Sequence, residues 1–166
     1  ADVISSSVGY IIDYSYEDLD ENTVAVTIVV DLAVKKGVAV FNSAGNEGLT
    51  YWEHIIAPAD GDSVIAIGGV TPDGDFWAIS SRGPTADGRT KPDLAAQGQD
   101  TYCVNPTSTD RYTTANGTSV ACPLGAGAGA IVLSVMPTMS PLELRELLKS
   151  HASQSNNPDN FMGYGI

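Results

Sequence analysis

The sequence is short of positively charged residues and of cysteine, and each shortage limits what the protein can be. Only 8 Lys and Arg stand against 20 Asp and Glu, which gives a net charge of −12 and a pI near 4.2. Nucleic acids and anionic membranes bind basic surfaces, so we expect neither as a partner. Two cysteines, Cys103 and Cys122, allow one disulfide at most. The 166 residues, 43% of them hydrophobic, are enough for one domain with a core.

The chain is organised around an uncharged stretch, residues 116–136, which has a polar beginning and an apolar remainder. Asn-Gly favours a turn, and Ser119 follows it where a helix can begin. Free backbone N–H groups and the helix dipole favour negative charge at that place, which suits a nucleophile. Pro123 fits the first helical turn, where its missing N–H costs nothing. The alternative is that Ser119 merely caps a core helix.

The apolar part of this stretch predicts a helix that is hydrophobic on every side. Such a helix is normally buried inside a sizeable protein. A transmembrane span is the alternative, although the run is short and rich in glycine. Three alternating glycines, Gly125, Gly127 and Gly129, would let neighbouring backbones approach closely.

Residues 117–123, Gly-Thr-Ser-Val-Ala-Cys-Pro, resemble the nucleophile signature of the subtilisin-like serine proteases, Gly-Thr-Ser-x-Ala-x-Pro. The resemblance implies that Ser119 attacks the peptide carbonyl and forms an acyl-enzyme. It also implies an α/β fold with a mostly parallel sheet and helices on both faces. Because the family's Asp and His motifs are absent, residues 1–166 would be the C-terminal portion of a subtilisin-like peptidase domain, with the fold incomplete.

Two further segments resemble the family's substrate-binding parts. The run Ser-Ala-Gly-Asn ending at Asn46 is similar to the oxyanion-hole sequence, which implies that the Asn46 amide and the Ser119 N–H donate to the oxyanion. By itself Asn46 would be a loop residue that bonds its own backbone. The tripeptide at 7–9 resembles the family's Ser-Leu-Gly, which pairs with the substrate backbone. The substrate-binding set implied by the resemblance is Ser7, Val8, Gly9, Ala44 and Gly45.

No residue matches the family's base or the acid that orients this base. His54 and His151 lack the family's His-Gly-Thr setting, so we expect both to be structural or on the surface. Cys122 has no basic neighbour to lower its pKa, and a packed free thiol is favoured for it. We therefore expect this fragment to be inactive alone, with an Asp and a His supplied upstream in the parent. The alternative is a non-catalytic pseudoprotease that serves as a binding scaffold.

Other patterns predict the surrounding elements. Residues 22–36 have a helical period with Val24, Ile28 and Leu32 at apolar positions. Ser140 begins a capping box ahead of a last helix. Strand patterns lie at 3–7, 38–41, 63–70, 101–105 and 111–115.

Residues 10–22 are acidic and aromatic without a clean period, and we interpret them as a solvated loop. Their carboxylates are of the type that binds Ca²⁺, which leaves a calcium site as the alternative, but no EF-hand-like spacing is present. The resemblance implies polypeptide substrates and a secreted or periplasmic parent. It implies no cofactor or metal in this fragment and leaves calcium open for the full-length parent.

Loss of the N-terminal half should also uncover surface. The strand at 3–7 would lack one neighbour, and the helix at 119–136 would lose cover. An unpaired edge strand and an apolar patch both favour contact with a second chain. We therefore expect the truncated chain to self-associate.

Overall fold

In the computed structural model, which describes all 166 residues, a four-stranded parallel sheet forms the centre of the protein. Its strands lie side by side in chain order: β1 (Val3–Ser6), β2 (Ala39–Ser43), β3 (Ile65–Val70) and β4 (Leu94–Gln97). A separate antiparallel hairpin is formed by β5 (Thr101–Val104) and β6 (Tyr112–Ala115). The predicted mostly parallel sheet and the predicted hairpin are both confirmed.

Helices cover both faces of the sheet, as predicted. They are α1 (Ala25–Lys35), α2 (Thr118–Val135) and α3 (Pro141–His151). Successive side chains of a strand point to opposite faces, so β3 contributes to two cores. Ile65 and Ile67 pack with residues of α2 and α3, including Leu144. Ala66, between them in sequence, packs in the second core with Val24 at the start of α1.

The buried face of α1 differs from the predicted one. Ile28 and Leu32 are 41% and 51% exposed, whereas Thr27 is fully buried. The Thr27 hydroxyl donates to the carboxylate of Asp60, which is itself buried, at 2.7 Å. A buried carboxylate requires a hydrogen-bond donor, and this polar contact turns the threonine inward in place of the isoleucine.

Helix α2 crosses all four strands of the sheet. Its glycines make room for sheet side chains rather than for neighbouring backbones, which corrects the expectation from sequence. A Cβ on Gly125 would meet the Ile67 side chain, and one on Gly129 would meet the Phe41 ring. A Cβ on Gly127 would have nothing within 4 Å. Two of the three glycines thus allow α2 to lie close against the sheet.

The outer side of α2 is exposed, as expected for a helix that has lost cover in this chain. Leu124, Ile131 and Val135 are 47%, 69% and 78% exposed. The helix is long and apolar enough to cross a membrane by length and composition alone, with a mean hydropathy of 1.6. Its packing across the sheet is nevertheless that of a core helix in a folded domain. Strand β1 is also uncovered on one side, because it lies at the edge of the sheet.

The capping box that begins α3 is present as predicted. The Ser140 hydroxyl accepts from the backbone N–H of Glu143 at 3.3 Å, and the Glu143 carboxylate accepts from the N–H of Ser140 at 2.8 Å. Residues 10–22 include a short 3₁₀ helix, Tyr16–Asp18, and Leu19 after it is fully buried. This acidic segment is therefore anchored to the second core rather than wholly solvated.

Candidate active site

Ser119 is the second residue of α2 and is exposed to solvent. The chain enters the helix through Gly117, whose φ of 141° is a conformation that other residues rarely adopt. The backbone N–H of Ser119 has no acceptor within the protein. Because the helix dipole is positive at this end, a negative oxygen bound beside Ser119 would be stabilised.

Asn46 lies directly against the start of α2. Its side-chain oxygen accepts two hydrogen bonds from Thr118, one from the backbone N–H at 2.8 Å and one from the hydroxyl at 3.0 Å. A backbone N–H can only donate, so the amide oxygen must face Thr118. The Asn46 amide nitrogen is left without an acceptor in the protein. The amide is thus fixed in one orientation with its donor free.

The loop that carries Asn46 is attached to the same threonine. Strand β2 ends at Ser43, and the chain then turns through Gly45, which has a φ of 114°. The Gly45 N–H donates to the Thr118 hydroxyl at 3.2 Å. Thr118 therefore accepts from one residue of this loop and donates to another, and it holds the loop against the nucleophile helix. Thr118 is part of the sequence motif, but the motif by itself predicts a role only for its neighbour Ser119.

Ser7, the residue directly after β1, is linked to the nucleophile residue itself. Its hydroxyl donates to the carbonyl oxygen of Ser119 at 2.9 Å. In a regular helix that carbonyl would accept from the N–H four residues later, and that residue is Pro123, which has none. Pro123 lies in the second turn of α2 and not in the first, which corrects the prediction. The proline leaves this carbonyl free for Ser7.

The segment 7–9 follows β1 and is held in place by further hydrogen bonds. The carbonyl oxygen of Val8 accepts from the buried side chain of Asn42 at 3.3 Å, and Tyr10 donates from its backbone to Ala57 at 2.9 Å. Ser7 and Val8 are exposed, whereas Ala44 and Gly45 are buried. The structure thus links both predicted substrate-binding segments to the start of α2, through Ser7 to Ser119 and through Gly45 to Thr118.

No side chain of this chain is hydrogen-bonded to the Ser119 hydroxyl. His54 stacks on Tyr16 with 4.0 Å between ring centroids, and burial lowers its pKa. His151 ends α3, where its Nδ1 lies 3.0 Å from the carbonyl oxygen of Leu147. Both histidines take structural or surface positions, as predicted.

Cys122 is a residue of α2, and its free thiol is fully buried in the core between this helix and the sheet. Its sulfur lies 3.4 Å from the carbonyl oxygen of Ser6, and burial raises the pKa of the thiol. A raised pKa keeps the thiol protonated and a poor nucleophile. The other cysteine, Cys103, is also free. No group of three or more His, Cys, Asp or Glu side chains is placed to hold a metal ion.

Together these features define an α/β protein in which a serine lies at the start of a helix that packs on the parallel sheet. An asparagine amide is fixed beside the start of this helix. The chain belongs to the subtilase family, whose sequence model matches residues 1–165. It is 38% identical over 130 residues to subtilisin DY from Bacillus licheniformis, a match that covers 78% of this chain and 44% of that protein. It is 30% identical over 185 residues to the serine protease AprX from Bacillus subtilis (strain 168), covering 99% of this chain and 41% of AprX.

A solved structure, the self-cleaved protease domain of PatA, has the same fold. The TM-score is 0.76 at 26% sequence identity, and the match covers 93% of this chain and 55% of that one. The chain thus spans less than half the length of the curated relatives described above. The family is one of serine proteases, which act on polypeptides.

Proposed function

We propose that this chain supplies the nucleophile, the oxyanion hole and part of the substrate-binding surface of a subtilisin-like serine endopeptidase. The Ser119 oxygen attacks the peptide carbonyl, the C–N bond breaks, and the acyl group remains on Ser119 until water releases it. The serine proton passes through a base to the leaving amine. We assign that base, a histidine oriented by an aspartate, to polypeptide outside these 166 residues.

The observation that carries this proposal is the fixed orientation of the Asn46 amide. An oxyanion hole needs donors that are aimed before the charge develops, because reorganising them during the reaction would raise the barrier. Two hydrogen bonds from Thr118 hold the amide oxygen, at 2.8 and 3.0 Å. The free amide nitrogen and the unpaired N–H of Ser119 are then the two donors for the oxyanion.

The substrate chain would lie along Ser7, Val8 and Gly9 on one side and Ala44 and Gly45 on the other. Ser7 also ties this surface to Ser119 through its hydrogen bond to the carbonyl oxygen. We assign no metal or cofactor to this part of the reaction. Because the net charge is −12, we expect no binding to nucleic acid or anionic lipid, and we propose that the parent protease is extracellular.

Covalent labelling tests this function. A fluorophosphonate probe should label Ser119 in the full-length gene product, and the Ser119→Ala variant should not be labelled. The 166-residue chain alone should react slowly, because it has no base to take the serine proton. Rapid labelling of the isolated chain would show that a base lies within it. Absence of labelling in the folded full-length protein would favour the non-catalytic scaffold instead.

We also propose that the isolated chain self-associates. Strand β1 presents an unpaired edge, and the exposed stripe of α2 carries Leu124, Ile131 and Val135. Light scattering during gel filtration should find a dimer or larger assembly at micromolar concentration. Ile131→Glu should increase the monomer fraction, whereas the control Ile12→Glu, at an isoleucine 80% exposed outside the stripe, should not. A compact wild-type monomer would contradict the proposal.

A further inference from the structure

The segment at Ile56 and Ala57 lies between the two proposed substrate-binding segments. The backbone N–H of Ile56 donates to the carbonyl oxygen of Ala44 at 3.0 Å. The next residue, Ala57, accepts from the N–H of Tyr10 at 2.9 Å. The segment is therefore hydrogen-bonded on one side to Ala44 and on the other to Tyr10, so its side chains lie between the two proposed substrate-binding segments.

The Ile56 side chain occupies the space between Gly9 and Gly45. A Cβ added to Gly9 would overlap the Cδ1 and Cγ1 atoms of Ile56. A Cβ added to Gly45 would lie 3.0 Å from Cγ2 and 3.1 Å from Cγ1 of the same isoleucine. Both glycines thus face one side chain, which touches the backbone of each segment. Any larger residue at either position would displace it.

This isoleucine is held in place. It is partly buried and packs against the second core, which includes Ala44, Ile55 and Ala57. Its branched Cβ restricts the first side-chain torsion, so few alternative rotamers are available. Swinging the side chain out of the gap would expose apolar surface and leave a void beside the core. Both effects favour the arrangement in which Ile56 fills the space between the two glycines.

We propose that Ile56 restricts the substrate side chain immediately before the cleaved bond to small residues such as glycine, alanine or serine. This inference rests on the proposed function, in which the substrate chain lies along residues 7–9 and residues 44–45, and it places that side chain in the gap between these two segments. An aromatic or long aliphatic side chain would have to occupy the volume of Ile56. A filled site of this kind discriminates by steric exclusion, because the wrong substrate cannot be seated in the transition state.

Cleavage of matched peptides by the full-length protein tests the proposal. The peptides are anilides that differ only in the residue before the cleaved bond, which is Ala, Leu or Phe. The wild type should cleave the Ala peptide with a kcat/KM at least about tenfold above that for Phe. Ile56→Ala should raise the ratio of Phe to Ala cleavage about tenfold or more. Ile56→Val, which removes only the Cδ1 methyl group, should raise the Leu to Ala ratio by less.

The control is Ile12→Ala, which removes the same atoms from an isoleucine that is 80% exposed and is not among the side chains nearest to either glycine. It should leave all ratios unchanged, and circular dichroism should show that each variant is folded. A wild-type preference for Phe, or ratios that neither Ile56 variant alters, would overturn this inference while leaving the protease function intact. No cleavage of any peptide and no labelling of Ser119 would overturn both.

Discussion

Lys91 and Asp93 form a buried ion pair that joins the beginnings of β3 and β4. Their side chains are 2% and 4% exposed, and the ammonium nitrogen lies 2.6 Å from a carboxylate oxygen. The ammonium also donates to the carbonyl oxygen of Val64 at 2.8 Å. The same carboxylate oxygen accepts from the backbone N–H of Ala66 at 2.8 Å. Burial lowers the pKa of Lys91, and Asp93 opposes this effect.

Lys91→Met should lower the free energy of unfolding by about 3–5 kcal/mol. Methionine fills most of the volume, but it leaves the Asp93 carboxylate buried with only one backbone donor and no cation. For a domain of this size the loss corresponds to a fall in Tm of about 6–20 °C. Asp93→Asn should cost less, since an amide oxygen still accepts a hydrogen bond and a lysine can release its proton.

Urea unfolding tests this reasoning, with Lys36→Met as a control at an exposed lysine that should change the free energy by less than about 0.5 kcal/mol. A deficit of Lys91→Met below about 1 kcal/mol, or one no larger than that of Asp93→Asn, would refute the account.

Three further predictions concern the active site and the second core. In the full-length enzyme, Asn46→Ala should lower kcat by about 10²–10³, the effect known for loss of the oxyanion-hole asparagine in subtilisin itself, with little change in KM. Thr118→Val should lower kcat about tenfold, because it removes one of the two hydrogen bonds that hold the amide, and Thr118→Ser should restore it. Burial raises the pKa of Asp60 above its ordinary value of 3.8, despite its hydrogen bond from Thr27. The folded state therefore retains this proton longer, so the free energy of unfolding should fall as the pH rises from about 4 through the raised pKa. In the Asp60→Asn variant that fall should be smaller.

Local signals in the sequence were sufficient for several elements. The capping box at Ser140 predicted the start of α3, because its hydrogen bonds join residues only three positions apart. The Asn-Gly turn predicted that Ser119 lies at a helix N-terminus, which the structure confirms. The strand patterns and the resemblance to the subtilases together predicted the parallel sheet. In each case the interaction that decides the structure lies within a few residues or within a recognisable motif.

The buried face of α1 could not be assigned in this way. A helical period shows that apolar residues share a face, but it does not show which face meets the core. Thr27 is buried because Asp60, far along the chain, presents a carboxylate to it. Ile28 remains half exposed. Likewise, nothing local to Lys91 indicates that a lysine should be buried, because its partners lie on two strands.

The details of the active site also depend on tertiary structure. The sequence by itself placed Asn46 and Ser119 in one site through their motifs, but the orientation of the amide depends on hydrogen bonds between residues 72 positions apart. The position of Ile56 between Gly9 and Gly45 depends on three segments that are distant in the chain. Motifs therefore determined which chemical groups are present. Only the packing of separate segments decided their directions and the space between them, because hydrogen bonds and steric contacts act over a few ångströms regardless of sequence distance.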